Sequence, residues 1–300
     1  MELIKPNTNI DFIRYSRLGV IFSVSLVVLG LASFIYHGGP NYGVDFIGGT
    51  VVQVRFPQQV SIRDIRDSLV AAEINGATVQ DFGQGTNEFL IRMPVTEIGT
   101  EDVSAKVQSG LSKRFGDKGF EIRRIETVGP KVGKDLRRKA ILAVLFATVM
   151  MGIYIAFRFE PRFGIGAAAA LLHDVLITAG ALSLMNVEFD LTTVAALLTV
   201  VGFSVNDTVI ICDRVRENMR KMRREGLTSI VNKSINETLS RTVITTGTAV
   251  CVIIALLILG GEVIHGFAFA LLVGFLIGTY SSIYVASPIV LLWEKEGARR

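Results

Sequence analysis

Apolar runs of lipid-spanning length recur along the chain, separated by short polar turns. Six stand out: Leu18–Tyr36, Ala140–Phe157, Phe163–Met185, Leu191–Cys212, Thr242–Gly261 and Gly266–Trp293. A hydrocarbon core about 30 Å thick is crossed by about 20 helical residues, so each run predicts a transmembrane helix. The first has 19 uncharged residues. That is longer than the apolar region of a cleaved leader, and no small-residue cleavage site follows it, so a retained span is expected.

Between the first and second runs the pattern changes to that of a soluble α+β domain. Thr50–Phe56 alternates in part with β-branched residues and predicts a strand, as do Ala77–Phe82, Glu88–Met93 and Phe120–Thr127. The polar stretch from Gly83 to Asn87 predicts the turn between the middle two. Ser61 is placed to cap a helix running to about Glu73, and Thr100 one running to about Arg114. The order β-α-β-β-α-β predicts a ferredoxin-like domain. The expected organisation is an N-terminus and first span over 1–37, the α+β domain over 38–139, and spans two to six over 140–300 with a polar loop at 213–240.

Composition supports a membrane protein. Half of the 300 residues are hydrophobic and the mean hydropathy is +0.48, more apolar than a soluble surface tolerates. The net charge of +4 does not point to nucleic acid, because Lys and Arg flank the apolar runs instead of clustering with aromatic platforms. Cys212 and Cys251 both fall in apolar runs. With no neighbouring His they predict neither a disulfide framework nor a zinc site.

The basic residues also predict orientation. Lys5, Arg14, Arg17, Arg158, Arg162, Arg214–Arg224, Lys233, Lys295, Arg299 and Arg300 share one face, whereas Asn186–Asp190 and Gly260–His265 hold no Lys or Arg. The positive-inside rule then places both termini in the cytoplasm and the α+β domain outside, in the periplasm. Lys131, Lys134, Arg137, Arg138 and Lys139 dissent, but a long folded insert translocates largely regardless of charge.

Polar residues inside the spans carry the candidate chemistry. Asp207 lies in the fourth run with Ser204 and Asn206 close by; a carboxylate there is costly and marks a functional site by default. In the fifth, Arg241 and Thr245 share a polar stripe with Thr248. With the spans centred near residues 201 and 251, Asp207 lies about 9 Å and Arg241 about 15 Å to the cytoplasmic side of the middle, a difference that a long Arg side chain covers. Burial raises a carboxyl pKa and a nearby guanidinium lowers it, so moving the guanidinium controls whether a proton is held. The alternative for Arg241 is a snorkelling anchor. His173 and Asp174 in the third run form a secondary polar group, with Thr178 on the same face as Asp174; a hydrogen-bond network between helices is the plainer reading of Asp174. The dipeptide occurs in metal-dependent phosphohydrolases, but only three His are present and no ligand cluster accompanies it. Gly274, Gly278, Ser282 and Ala286 repeat every fourth residue and predict a helix-packing seam. Leu227, Ile230, Val231, Ser234 and Ile235 follow helical spacing, as in a helix lying on the membrane or docking a partner.

Together the segments GVDFIGGT (43–50), FRFE (157–160), LLHD (171–174), FDLTTVAALLTVVGFSVNDTVIICDRVREN (189–218), SRTVITT (240–246) and GTYSSIYVASP (278–288) resemble the SecF members of the SecD/SecF family of protein-export membrane proteins, within the RND superfamily. The resemblance runs in order across nearly the whole chain. It implies a complex with SecD in the cytoplasmic (inner) membrane, working with the SecYEG translocon and SecA on a translocating preprotein, with YajC and YidC as further companions and no cofactor or enzymatic step. A proton or sodium gradient would drive the external domain, with Asp207 as ion carrier and Arg241 as its partner. Ile47 stands where the family pattern GIDFTGGT has Thr. Two other readings are a scaffold for SecD and the translocon without ion movement, and a small-molecule efflux half-transporter of RND type. The single external domain of about 95 residues leaves little room for the porter modules of such pumps.

Overall fold

A computed structural model describes residues 9–74, 76–82, 87–94, 100–116 and 119–297. Helix α1 (Ser16–Tyr36) leads through the short α2 (Val44–Ile47) into the α+β domain: β1 (Gly49–Arg55), α3 (Ile62–Ala71), β2 (Thr78–Asp81), β3 (Glu88–Pro94), α4 (Thr100–Phe115) and β4 (Glu121–Val128). The sheet order is β2-β3-β1-β4, every pairing antiparallel. This is the ferredoxin-like arrangement. Central Val52 pairs with Ile91 on one side and Ile125 on the other. Alternation along β1 sends Val52 and Val54 into a core with Ile65, Leu69, Ile91 and Leu111. Only residue 87 of the 83–87 turn lies among the described residues.

Ser61 caps α3: its backbone is extended and its hydroxyl accepts from the Asp64 N–H at 3.1 Å. The same hydroxyl donates to the Asp64 carboxylate at 2.7 Å. This contact, with Arg114 adding to it, holds the Asp64 carboxyl below its usual range despite some desolvation. Ser61→Ala is expected to cost α3 about 1 kcal/mol, read as about fivefold faster hydrogen exchange at the Asp64 amide. Unchanged exchange would contradict the cap.

Six helices are long and apolar enough to span a membrane, and the chain is a multi-pass membrane protein. After α1 they are α5 (Pro130–Arg158), α6 (Pro161–Leu184), α7 (Leu191–Lys221), α8 (Leu227–Leu259) and a compound sixth. The sixth comprises α9 (Gly261–Ser281), one π-helical turn (Ser282–Ala286) and α10 (Ser287–Gly297). Pro130 and Pro161 open their helices at positions that need no N–H partner. Asp190 and Thr193 form a reciprocal capping box that fixes the start of α7. Gly261, at φ +73°, takes the left-handed conformation that separates α8 from α9. The π turn is tied by the Ser287 hydroxyl donating to the Ser282 carbonyl at 2.9 Å.

Two expectations from the sequence need correction. Residues 130–139 continue the second span's helix instead of belonging to the α+β domain, because Pro130 starts α5 and nothing breaks it before Arg158. The dissenting basic run therefore occupies the first turns of α5, where Lys139 pairs with Asp135 and Arg137 covers the Tyr42 ring. The 213–240 segment is helical apart from residues 222–226. Leu227, Ile230, Val231 and Ile235 do not lie on a membrane surface: they are buried against Ile211, Cys212 and Val215 of α7 and against Phe12. Their apolar stripe finds its match on the facing helix, and α8 continues as one 33-residue rod. Asn232 and Asn236 on that rod hold the backbone of Ile10.

Candidate functional site

Helical periodicity on α7 turns Val200, Ser204, Asp207, Thr208 and Ile211 inward. Facing them on α9, Gly274 lies against Val200 and Gly278 against Ser204; a Cβ on Gly278 would sit 2.9 Å from that of Ser204. The absence of side chains at these positions lets the two backbones approach, as small residues do in membrane helix pairs. Close approach is what allows short hydroxyl side chains to reach the carboxylates.

Two acids are enclosed by this packing. Asp174 of α6 is 0% exposed and Asp207 of α7 is 1% exposed. Asp174 Oδ2 accepts from the hydroxyls of Ser204 (2.6 Å) and Ser281 (2.8 Å), and Oδ1 faces His173 Nδ1 at 2.9 Å. Asp207 is less completely held. Its Oδ2 accepts from Thr279 at 3.1 Å and Thr246 at 3.5 Å, while its Oδ1 is buried with no hydrogen-bond partner among the described residues. Thr242 Oγ1, one turn before Thr246 on α8, is likewise buried and unpartnered. Below them Thr208 and Ser282 share a 2.8 Å hydrogen bond across α7 and the π turn.

The arrangement differs in detail from the spacing argument. Ser204 serves Asp174 and not Asp207. Asn206 is exposed on the opposite face of α7. Arg241 is also exposed and, although its charge acts on Asp207 through space, no ion pair joins them among the described residues. Thr245 returns its hydroxyl to the Arg241 and Thr242 carbonyls. The inward stripe of α8 is Thr238, Thr242 and Thr246, one position round from 241, 245 and 248. Thr178 bonds back to the Asp174 carbonyl at 2.7 Å. Thr246, Thr279, Ser281 and Thr208 were not singled out from the sequence, because lone hydroxyls in apolar helices are common and only the partner helix shows which face is inside.

The α+β domain is fastened to the helices that carry both acids. The backbone of residues 41–43 pairs with Phe189 in the turn between α6 and α7: Gly43 N–H donates to the Phe189 carbonyl at 2.8 Å and Phe189 N–H to the Asn41 carbonyl at 2.7 Å. The Leu191 N–H donates to Asp45 at 3.0 Å, and Arg92 of β3 forms a half-buried ion pair with Glu188. On the other side Gly48, at φ +90°, lets the chain turn against Pro130 at the start of α5. Arg92→Glu is expected to weaken this docking by about 2 kcal/mol, and Arg92→Glu with Glu188→Arg to recover most of it. Disulfide trapping between residues 42 and 189 measures it; equal trapping in all three proteins would contradict the clamp.

Comparison with known proteins agrees with this fold. The family described as "Protein export membrane protein SecD/SecF, C-terminal" matches residues 108–296, and the "SecD/SecF GG Motif" matches residues 34–60. The protein translocase subunit SecF of Calditerrivibrio nitroreducens is 44% identical over 97% of this chain and 96% of its own. That of Magnetococcus marinus is 45% identical over 100% and 96%, and that of Vibrio alginolyticus 43% identical over 97% and 91%. Among solved structures, the translocon-associated membrane protein SecDF from Thermus thermophilus superposes with a TM-score of 0.81 at 37% identity, covering 98% of this chain. SecDF in a super-membrane-facing form gives 0.74, also at 37% identity. The chain spans 40% of the length of each of these SecDF chains. On sequence, topology and membrane architecture alike, the chain belongs to the SecD/SecF family of protein-export membrane proteins.

Proposed function

We propose that this chain is the SecF-type subunit of a protein-export complex in the cytoplasmic membrane, coupling proton or sodium flow to movement of the α+β domain on the outer side. The observation that carries the reading is Asp207: an intramembrane carboxylate with one bare oxygen and no paired cation among the described residues. A carboxyl group so placed can bind and release a cation as the helices around it shift, and no nucleophile or metal is needed for that task. Arg241, outward on the next helix, acts as the movable cation that a partner surface would bring toward Asp207 or draw away. The clamp at residues 41–45 and 186–191 supports transmission, since it joins the domain to the helix hairpin holding both acids. A cleft of about 290 Å³ lies between the sheet and the ends of α7 and α9 beside this clamp.

The membrane faces support SecD as the partner. The outward face of α5 presents Ile141, Leu145, Phe146, Val149 and Ile153, suited to lipid. That of α7 presents Leu191 at its start and then Thr192, Ala195, Thr199, Gly202 and Asn206. Lipid gains nothing from such a face, whereas another helix packs closely on it. SecYEG, SecA, YajC, YidC and the preprotein are the companions the family membership implies, with the termini cytoplasmic. Moving one charge through 100 mV supplies about 2.3 kcal/mol, enough to bias a two-state domain movement but not to unfold a protein. Export by cells carrying Asp207→Asn, at an unchanged amount of complex, tests the reading.

A further inference from the structure

We propose that His173 and Asp174 form a second proton-binding site in the membrane domain, at the middle of α6, with the proton taken up at His173 Nε2 and Asp174 holding the ring. Asp174 is ten residues from the end of α6 at Leu184, about 15 Å along the helix and so near the bilayer middle. Its use in transport rests on the ion-coupled reading above; its existence does not.

The donor count carries the inference. Asp174 Oδ2 receives two hydroxyl hydrogens, from Ser204 and Ser281, and Oδ1 meets His173 Nδ1. With Nδ1 as the donor, three donors face the carboxylate, as suits the ionised form. No Lys or Arg contacts it among the described residues. An isolated negative charge at the bilayer centre is expensive. The one atom of the cluster left open is His173 Nε2, buried and without a partner among the described residues, on a side chain only 10% exposed. A proton arriving from water there binds the Nε2 lone pair, turns the ring into an imidazolium and leaves the pair with no net charge. Its loss to water restores the lone pair and the negative charge. The hydrogen on Nδ1 stays in place throughout, because Asp174 fixes it.

The surroundings fit a single-proton site. On α9, Tyr280 stacks on the imidazole with ring centroids 6.5 Å apart, and its hydroxyl donates to the Gly19 carbonyl of α1 at 2.5 Å. Tyr284 of the π turn lies behind Tyr280. Helix α1 contributes Ser23, which bonds Tyr280; α5 meets α6 through Gly152 and Ala156; α10 meets it through Val290. The other enclosed acid is Asp207, one turn beyond Ser204 on α7. The two carboxylates share their supports: Ser204 and Asp207 lie on one helix, Ser281 and Thr279 on another. A change of charge at Asp174 therefore acts on the same two helices that hold Asp207.

The full chain in lipid nanodiscs, labelled with ¹⁵N-histidine, provides the test. It contains three His, at 37, 173 and 265, and His37→Gln and His265→Gln assign the signals. As the pH falls from about 9 to about 5, the His173 ring is expected to pass from one bare nitrogen to none. Asp174→Asn is expected to weaken proton binding at His173 at least about tenfold. Asp207→Asn leaves the titration in place, which separates this site from the export relay. A His173 ring that keeps a bare nitrogen over the whole range would overturn the proposal, as would a midpoint indifferent to Asp174→Asn. The wild-type titration alone decides whether the proton is there, so a variant that failed to fold would leave the test intact.

Discussion

Cells carrying Asp207→Asn are expected to lose the gradient-driven part of export while the complex still assembles. The substitution keeps the shape of the side chain, and an amide oxygen accepts from Thr279 and Thr246 as Oδ2 does. What disappears is the ability to hold and release a cation. One charge moved through about 100 mV is worth about 2.3 kcal/mol, a bias of about 50-fold between two domain positions. Pulse-chase export of a preprotein is therefore expected to slow by tenfold or more wherever this step limits the rate. Normal export with normal complex recovery would end the relay account. Parallel loss of export and of SecD recovery, in Asp207→Asn or Arg241→Met, would favour a scaffold whose intramembrane polar groups serve only assembly.

The largest structural effect is expected at Gly274. A Cβ there would overlap the side chain of Val200, which is fully buried and, being β-branched, has little freedom to move. Even Gly274→Ala calls for a shift of one helix, at the about 1–3 kcal/mol typical of overpacking. Gly274→Leu wedges α7 from α9 and separates Ser204 and Asp207 from the hydroxyls of Ser281 and Thr279. Its folded fraction after mild heating, read by size-exclusion chromatography, is expected to collapse, and Val200→Ala is expected to restore part of it. Wild-type behaviour of Gly274→Leu would show that the two helices do not meet there.

How far the sequence led can be judged at particular residues. The α+β domain was legible because β1 alternates, Ser61 and Thr100 precede periodic stretches, and the strands are bounded by turn residues; strand limits agree within about two residues. The six spans were legible from apolar length alone. Their ends were not: α5, α7 and α8 run on into charged sequence, since a helix continues wherever its backbone bonds are met, whatever the solvent. The small-residue repeat from Gly274 showed that a helix comes close without showing which one. The acids stood out because charge in a lipid-spanning run is rare. Their partners did not, because rotation about a helix axis is fixed by its neighbours: a shift of one position put Thr246 toward Asp207 where Thr245 was expected. Pairing of Asp207 with Arg241 rests on depth along the membrane and on the family resemblance, neither of which gives the azimuth of Arg241 on its helix. Arg241 in fact faces outward, away from Asp207.

The central claim is that Asp207 converts an ion gradient into work on export. Proteoliposomes containing this chain with SecD and the SecYEG translocon, driven by SecA and given either a proton or a sodium gradient, test it most directly. The account predicts that one of the two gradients accelerates preprotein export in the wild type and that neither does so with Asp207→Asn. Equal acceleration in the two proteins would contradict it.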